Sequence, residues 1–153
     1  MSIVDYLEAS QVLIGFPGSS KKQVIEELAE RVGALTGLRQ RCLLDAVMRR
    51  ERLGSTGIGD GIAIPHAVHE GLTRTIAFLA VLETPVDFDS IDGQPVDIIC
   101  LVVGPPNNDT SHLKCIASVT RTLQQASTCE EIRSIKSPKA VLQSLKSLGN
   151  VAA

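Results

Sequence analysis

The sequence predicts an α/β fold in which a mixed β-sheet is flanked by helices on both faces. Two segments, Thr75 to Leu82 and Val96 to Val103, are apolar at nearly every position, which is typical of strands covered on both faces. Segments with helical periodicity lie before and after these two strands. Helices interleaved with continuous apolar strands favour a layered α/β sandwich. The length of 153 residues fits one domain, which we take as residues 1–153.

The first third of the chain contributes one strand and two helices. Ile3 to Leu7 is expected to form a short helical turn, and Val12 to Phe16 the first strand, closed by a Pro-Gly pair. Ser20 is the predicted cap of the first long helix, whose apolar residues recur at helical spacing until Gly37. Leu38 to Leu53 reads as the second helix.

The rest of the chain adds a short strand and three helices. Ile62 to Ile64 is a predicted strand, and Ser111 to Gln124 a third long helix. Two shorter helices follow, one capped by Ser127 or Thr128 and one running from Ser137-Pro138 to Gly149.

The charge and the aromatic content argue against nucleic acid as a partner. A net charge of -2 at pH 7 and an isoelectric point near 5.9 give the chain no attraction to phosphate backbones. One Tyr, three Phe and no Trp leave few rings on which bases could stack.

The chain is expected to be cytoplasmic and not inserted in a membrane. Its first ten residues lack the basic and apolar regions of a signal peptide, and no apolar run approaches the ~18 residues that span a bilayer. The four cysteines are widely spaced without a CxxC pair, which argues against a zinc or redox motif and suits reduced thiols. Cys100 and Cys115 have apolar neighbours and are expected in the core.

Arg50 is the first polar residue that falls on an apolar face. It lies four residues after Ala46 and three after Val47, within the apolar arc of the second predicted helix. A guanidinium there points inward and requires an anionic partner. That partner could be Glu51, Asp60, another carboxylate or a ligand.

His112 shows the same anomaly at the start of the third long helix. It shares a face with Cys115, Ile116 and Val119, and it lies in the first turn, where free backbone N–H groups can bind an anion. A hydrogen-bonded core histidine and a ligand-binding histidine both fit this position.

His66 follows an unusual glycine-rich run, since residues 54–69 read GSTGIGDGIAIPHAVH. The glycines could serve only to supply positive φ in turns, and the run matches neither the P-loop nor the dinucleotide-binding fingerprint. His66 and His69 are three residues apart, as metal ligands on a helix can be, but Pro65 disfavours a helix there. No HExxH motif or paired Cys/His set is present, so no metal is predicted.

Together these three segments suggest phosphoryl transfer onto a histidine. Arginine binds phosphate bidentately, and a neutral imidazole is a nucleophile toward phosphorus. We expect Arg50, His112 and backbone amides to meet a phosphoryl group on His66, with Ser55 or Thr56 as hydroxyl donors. Catalysis would then consist of positioning and charge stabilisation, without a metal, nucleotide or other cofactor.

The same residues carry a resemblance to a known family. Arg50-Glu51, then GSTGIG from Gly54 and GIAIPH from Gly61 to His66, closely resemble the active-site signature of the fructose/mannitol-type enzyme IIA domains of the bacterial phosphotransferase system. Within that family the chain is most similar to the nitrogen-related enzyme IIA, also in the stretch LETPVDFDSIDGQPVDIICLVV and in SHL at residues 111–113. The resemblance extends from roughly Ile3 to Leu148 and implies the family's mixed sheet flanked by helices.

The resemblance implies a phosphoryl carrier. The histidine at the position of His66 takes a phosphoryl group on Nε2 from the phosphohistidine of a small HPr-like protein. Arg50 stands at the position of the phosphate-facing arginine, and His112 at that of the second active-site histidine. After His66 this chain has Ala67-Val68-His69, where the family commonly has Gly and a polar residue.

Two roles are open for such a carrier. It could be a regulator whose phosphorylation state alters binding to target proteins, or a sugar-specific component that passes phosphate to a separate IIB protein. No IIB-like or membrane-embedded IIC-like segment is seen in the sequence, which favours regulation.

Overall fold

The computed structural model describes residues 2–106 and 110–152 and consists of a mixed sheet between two helical layers. Two short 3₁₀ segments, Ile3–Tyr6 and Ala9–Gln11, precede the regular elements. The strands are β1 (Val12–Phe16), β2 (Gly57–Gly59), β3 (Ile62–Ala63), β4 (His66–Val68), β5 (Ile76–Val86) and β6 (Val96–Gly104). The helices are α1 (Lys21–Thr36), α2 (Gln40–Leu53), α3 (Ser111–Leu123), α4 (Ala126–Ser134) and α5 (Pro138–Ala152).

The strands form one sheet in the order β1-β5-β6-β3-β2, and β4 also pairs with β6. β5 and β6 are antiparallel, whereas β1 is parallel to β5, and both β3 and β4 are parallel to β6. The sheet is therefore mixed, as predicted. Because β4 lies directly beyond β3 along β6, it places His66 opposite Val102, near the carboxyl end of β6.

Both faces of the sheet are covered, which explains why β6 is apolar at nearly every position. Ile99, Leu101 and Val103 contribute to the core cluster that includes the buried residues of α1 and α2. Ile98, Cys100 and Val102 contribute to the cluster formed with α3, α4 and α5. Alternation of side chains along a strand sends neighbours to opposite faces, so a strand buried on both sides shows no polar positions.

The helix ends follow local rules at several predicted positions. The Ser20 hydroxyl accepts a hydrogen bond from the Gln23 N–H (3.1 Å), and the Gln23 side chain accepts from Ser19 rather than from Ser20. Gly37 ends α1 in the left-handed conformation, with φ of 79°.

Other boundaries differ from the prediction. α2 begins at Gln40 rather than Leu38, because Arg39 is still extended. Gln125, not Ser127 or Thr128, occupies the cap of α4, and its side chain makes no capping bond. α5 continues through Gly149 to Ala152, so a single glycine did not end this helix.

The glycine-rich run forms more structure than was predicted. Residues 57–63 make a β2–β3 hairpin whose turn residues, Asp60 and Gly61, both have positive φ (58° and 81°). Two-residue hairpin turns of this kind need that conformation, which the Asp-Gly pair adopts readily. After Pro65 the chain continues as β4, a strand that the sequence pattern does not predict.

Candidate phosphoryl-transfer site

A cavity of about 330 Å³ opens where β4, α2 and α3 meet, near the carboxyl end of β6. It brings together the three side chains predicted from separate segments: Arg50, His66 and His112. The lining residues are Ala46, Arg49, Arg50, Leu53, His66, Ala67, Val68 and His112.

His66 is held in one orientation by its own backbone. Its Nδ1 lies 2.9 Å from the carbonyl oxygen of Ile64, which is buried. Because a carbonyl oxygen can only accept a hydrogen bond, Nδ1 carries the proton in this contact. The neutral ring therefore has an unprotonated Nε2, the nitrogen that can act as a nucleophile.

His112 packs edge-on against His66, with ring centroids 6.2 Å apart and an interplanar angle of 61°. Its Nδ1 is buried and has no hydrogen-bond partner among the described residues. Burial lowers the pKa of His112, and the neighbouring His66 lowers it further. An N–H at this buried position would be unsatisfied, so the environment favours a neutral ring with its proton on Nε2.

Arg50 is half-buried, and its Nη1 donates to the carbonyl oxygen of Gly54 (2.9 Å) just past the end of α2. None of the ion pairs among the described residues involves Arg50. The suggested carboxylate partners are therefore wrong for this structure: Glu51 pairs with Lys21, and Asp60 lies in the β2–β3 turn. The guanidinium lines the cavity, and within residues 2–106 and 110–152 no carboxylate forms an ion pair with it, so its direct interaction with a ligand stays a prediction.

The hydroxyls of Ser55 and Thr56 are not brought to the cavity. Ser55 Oγ donates to the carbonyl oxygen of Phe88 (2.6 Å), and Thr56 Oγ1 donates to a carboxylate oxygen of Glu51 through a short contact. Thr56 is also buried. Because each hydroxyl proton is already donated, the placement does not support the predicted direct contact of these groups with a phosphoryl group.

One residue beside the site was considered from the sequence only as a possible partner for Arg50. Glu51 is a buried carboxylate, with its side chain only 1% exposed, and it forms an ion pair with Lys21 (2.9 Å between Oε1 and Nζ). A signal was available: Glu51 lies four residues after Val47 and eight after Leu43, on the stripe of α2 that is buried.

His69, which was considered together with His66 as a possible metal ligand, does not line the cavity. Its Nδ1 accepts a hydrogen bond from the Gly71 N–H (2.9 Å), and its own N–H donates to the Gly104 carbonyl. Across residues 2–106 and 110–152, no three His, Cys, Asp or Glu side chains are grouped so as to hold a metal ion. Residues 107–109, which precede α3, lie outside the described residues.

Comparison with known proteins assigns the chain to a family. Residues 5–148 match the family described as the phosphoenolpyruvate-dependent sugar phosphotransferase system, EIIA 2. The chain belongs to this family. The phosphotransferase identification made from the signature is thereby confirmed, and the chain is a component of a phosphoryl-transfer system.

The relatives include regulatory and sugar-specific proteins. A nitrogen regulatory protein of Bradyrhizobium diazoefficiens is 35% identical over 141 residues, which is 92% of each chain. The fructose-specific EIIABC component of Bacillus subtilis is 25% identical over 93% of this chain, which spans 22% of that longer protein. Among solved structures, nitrogen regulatory protein IIA-Ntr from Neisseria meningitidis superposes with a TM-score of 0.88 at 30% identity, covering 94% of this chain and 98% of that one.

The family fold agrees with the one described above. IIA mannitol from Escherichia coli superposes with a TM-score of 0.75 at 24% identity, over 91% of this chain and 98% of that one. The mixed sheet with helices on both faces is thus confirmed. In the described part of the chain no helix is both long and apolar enough to cross a membrane.

Proposed function

We propose that this protein is a phosphohistidine carrier that accepts a phosphoryl group on Nε2 of His66 from the phosphohistidine of an HPr-like protein and acts mainly in nitrogen-related regulation. The observation that carries the proposal is the bond from His66 Nδ1 to the Ile64 carbonyl, which leaves Nε2 unprotonated beside Arg50 and His112.

The transfer step moves one phosphoryl group between two imidazoles. The lone pair of His66 Nε2 attacks phosphorus and forms a new P–N bond, while the P–N bond to the donor histidine breaks. The bonding electron pair stays on the nitrogen of the donor imidazole, which leaves as a neutral or protonated ring. No oxidant, metal or nucleotide takes part, so the protein supplies positioning and charge stabilisation.

Arg50 and His112 are placed to stabilise the incoming charge. The Arg50 guanidinium has further N–H groups beyond the one that binds the Gly54 carbonyl. The neutral His112 ring, with its proton on Nε2, offers one more donor without adding a charge to the cavity. Both side chains line the same cavity as His66, so a phosphoryl group on Nε2 would share the cavity with them.

The surface around the cavity suits a docked protein. Three aliphatic side chains are exposed at or next to the cavity: Leu53 at the end of α2 (83% exposed) and Val68 in β4 (47%) line it, and Leu113 (66%) follows the lining residue His112 in α3. We call these three residues the apolar rim. Exposed apolar side chains beside charged ones are typical of protein interfaces, and here Arg49 and Arg50 lie next to the rim. The donor is therefore expected to present an apolar patch around its phosphohistidine.

The names of the relatives favour regulation over sugar transport. Six relatives between 32% and 35% identical are named nitrogen regulatory proteins or a homologue of one. The alternative is a sugar-specific IIA component that passes phosphate to a IIB protein, since one solved relative is a complex of enzyme IIA mannitol with phosphorylated enzyme IIB mannitol. A cytoplasmic location, where HPr-like donors act, remains a prediction for either role.

The test is reconstitution of the transfer. The protein is incubated with phosphoenolpyruvate, enzyme I and an HPr-like protein, and acid-labile phosphate is mapped. Label on wild type and not on His66→Ala supports the proposal, and label retained by His66→Ala overturns it. Capture of partners by the phosphorylated and unphosphorylated forms then separates the two roles: differential binding of regulators supports the first, and phosphate transfer to a IIB protein the second.

A further inference from the structure

The buried carboxylate of Glu51 lies at one end of a continuous chain of hydrogen bonds that ends at His66. Glu51 Oε1 accepts from the Thr56 N–H (3.2 Å), and Oε2 accepts from Thr56 Oγ1. The Thr56 carbonyl accepts from the Ile64 N–H (3.0 Å), and the Ile64 carbonyl accepts from His66 Nδ1 (2.9 Å). Each link joins backbone or side-chain groups that are buried or half-buried.

Glu51, at the start of this chain of hydrogen bonds, is itself held in place by an ion pair. Lys21, at the start of α1, pairs with Glu51 Oε1 (2.9 Å), and its Nζ lies 4.8 Å from the centre of the Phe88 ring. Phe88, which is fully buried, also accepts hydrogen bonds on its carbonyl from Ser55 Oγ and from Lys21 Nζ. Helix α1, the end of α2 and the 54–56 loop are thereby linked to one carboxylate, and the start of the 87–95 loop is linked to it through Lys21.

The same carboxylate is adjacent to Arg50 in sequence. Arg50 donates to the Gly54 carbonyl, and Gly54 lies two residues before Thr56. Fixing Thr56 to Glu51 closes a short loop at the end of α2, so it restrains the carbonyl that orients the Arg50 guanidinium. The Glu51 carboxylate is thus connected through hydrogen bonds and the 54–56 loop to both His66 and Arg50, although Glu51 does not line the cavity.

From this geometry we propose that Glu51 and Thr56 are positioning residues that hold the Ile64 carbonyl where it fixes the Nδ1–H tautomer of His66, and so keep Nε2 available as the nucleophile. The proposal rests on His66 as the phosphorylation site. A polar network of this kind restricts the orientation of the reacting imidazole before the donor binds. A small displacement of a reacting group can lower the rate of transfer strongly.

The test uses Thr56→Val, which keeps the shape of the side chain and removes the hydroxyl, with Thr56→Ser as the conservative variant. Glu51→Gln is the second variant, since it keeps the volume and removes the charge. Thr120→Val is the matched control, because its half-buried hydroxyl donates to the Ile116 carbonyl (2.7 Å) in α3 and takes no part in the network.

The first readout is the His66 tautomer, measured by ¹⁵N NMR of the imidazole nitrogens and independent of any phosphate donor. Wild type, Thr56→Ser and Thr120→Val are expected to show the Nδ1–H form. Thr56→Val and Glu51→Gln should show a mixture that includes the Nε2–H form. The second readout is transfer from the phosphorylated HPr-like protein, where both variants should lose about tenfold in kcat with KM within about twofold of wild type.

Wild-type tautomer and wild-type kcat in both Thr56→Val and Glu51→Gln would overturn the proposal. If Thr56→Val does not fold, Glu51→Gln decides alone; if neither folds while Thr120→Val does, the network serves the fold and the positioning role is wrong. Absence of phosphate on wild-type His66 would instead contradict the proposed function, and the tautomer measurement would still decide this inference.

Discussion

The ring of His112 occupies its place because residue 104 has no side chain: a β-carbon on Gly104 would lie 2.8 Å from His112 Nδ1 and 3.0 Å from Thr75 Oγ1. Gly104 is the last residue of β6, and His112 is the second residue of α3, so the strand end and the helix start meet at this contact. The second histidine of the cavity is therefore positioned by a glycine that does not itself line the cavity.

Gly104→Ala should displace His112 from the cavity. Overpacking of this kind costs about 1–3 kcal/mol, and we expect a tenfold or larger loss in kcat for phosphoryl transfer, by steady-state kinetics with the phosphorylated donor. The control is the same substitution in a His112→Ala background, where the clash with the ring is gone. Equal effects of Gly104→Ala in both backgrounds would contradict this positioning role.

Arg50→Lys should retain the charge and lose the planar set of donors. We expect a loss of about tenfold in kcat for Arg50→Lys and about a hundredfold for Arg50→Ala, since donors aimed at developing charge typically contribute at this level. Arg52→Ala, on the same helix but outside the cavity lining, is the control. Similar rates for Arg50→Ala and Arg52→Ala would rule out a phosphate contact for Arg50.

Leu53→Asp should weaken donor docking rather than chemistry. Leu53 belongs to the apolar rim, and a carboxylate there removes apolar contact area from the expected interface. We expect KM for the donor to rise about tenfold or more with kcat less affected. Ile91→Asp is the matched control, because Ile91 is equally exposed (86%) and does not line the cavity. A KM unchanged in Leu53→Asp would contradict docking at the rim.

The pH dependence of stability should reveal that His112 is held neutral. Burial depresses the pKa of His112 in the folded protein below its usual value of 6.5, so the unfolded chain binds the proton more readily. The contribution of neutral His112 to the free energy of unfolding is therefore fully present above pH 6.5. It is lost as the pH falls from there through the lowered pKa of the folded state. Chemical unfolding at pH 7.5 and 5.0 should show a smaller loss of stability for His112→Asn than for wild type; an equal loss would show that His112 is not responsible.

Much of this site could be predicted from the sequence, because helical periodicity identifies polar residues that fall on the apolar face of a helix. Arg50 and His112 were found in that way, and the cavity brings both to His66. Glu51 was considered only as a partner for Arg50, although its spacing from Leu43 and Val47 already indicated a buried carboxylate.

Other features depend on contacts that no local pattern contains. The three residues of β4 pair with β6, more than 30 residues away, and are too few to show strand periodicity. The hydroxyls of Ser55 and Thr56 were predicted as donors to the phosphoryl group. Their directions are set by the Phe88 carbonyl, 33 residues further along, and by the buried end of α2.

Every role proposed for the cavity depends on transfer of the phosphoryl group to Nε2 of His66. The most direct measurement is a long-range ¹H–¹⁵N spectrum of the uniformly labelled protein after phosphorylation by phosphoenolpyruvate, enzyme I and an HPr-like protein. We expect ³¹P coupling and a changed ¹⁵N shift at Nε2 of His66, with Nδ1 still bonded to the Ile64 carbonyl and with His69 and His112 unmodified. Phosphate on Nδ1 of His66, or on His69 or His112, would contradict Nε2 of His66 as the phosphoryl acceptor.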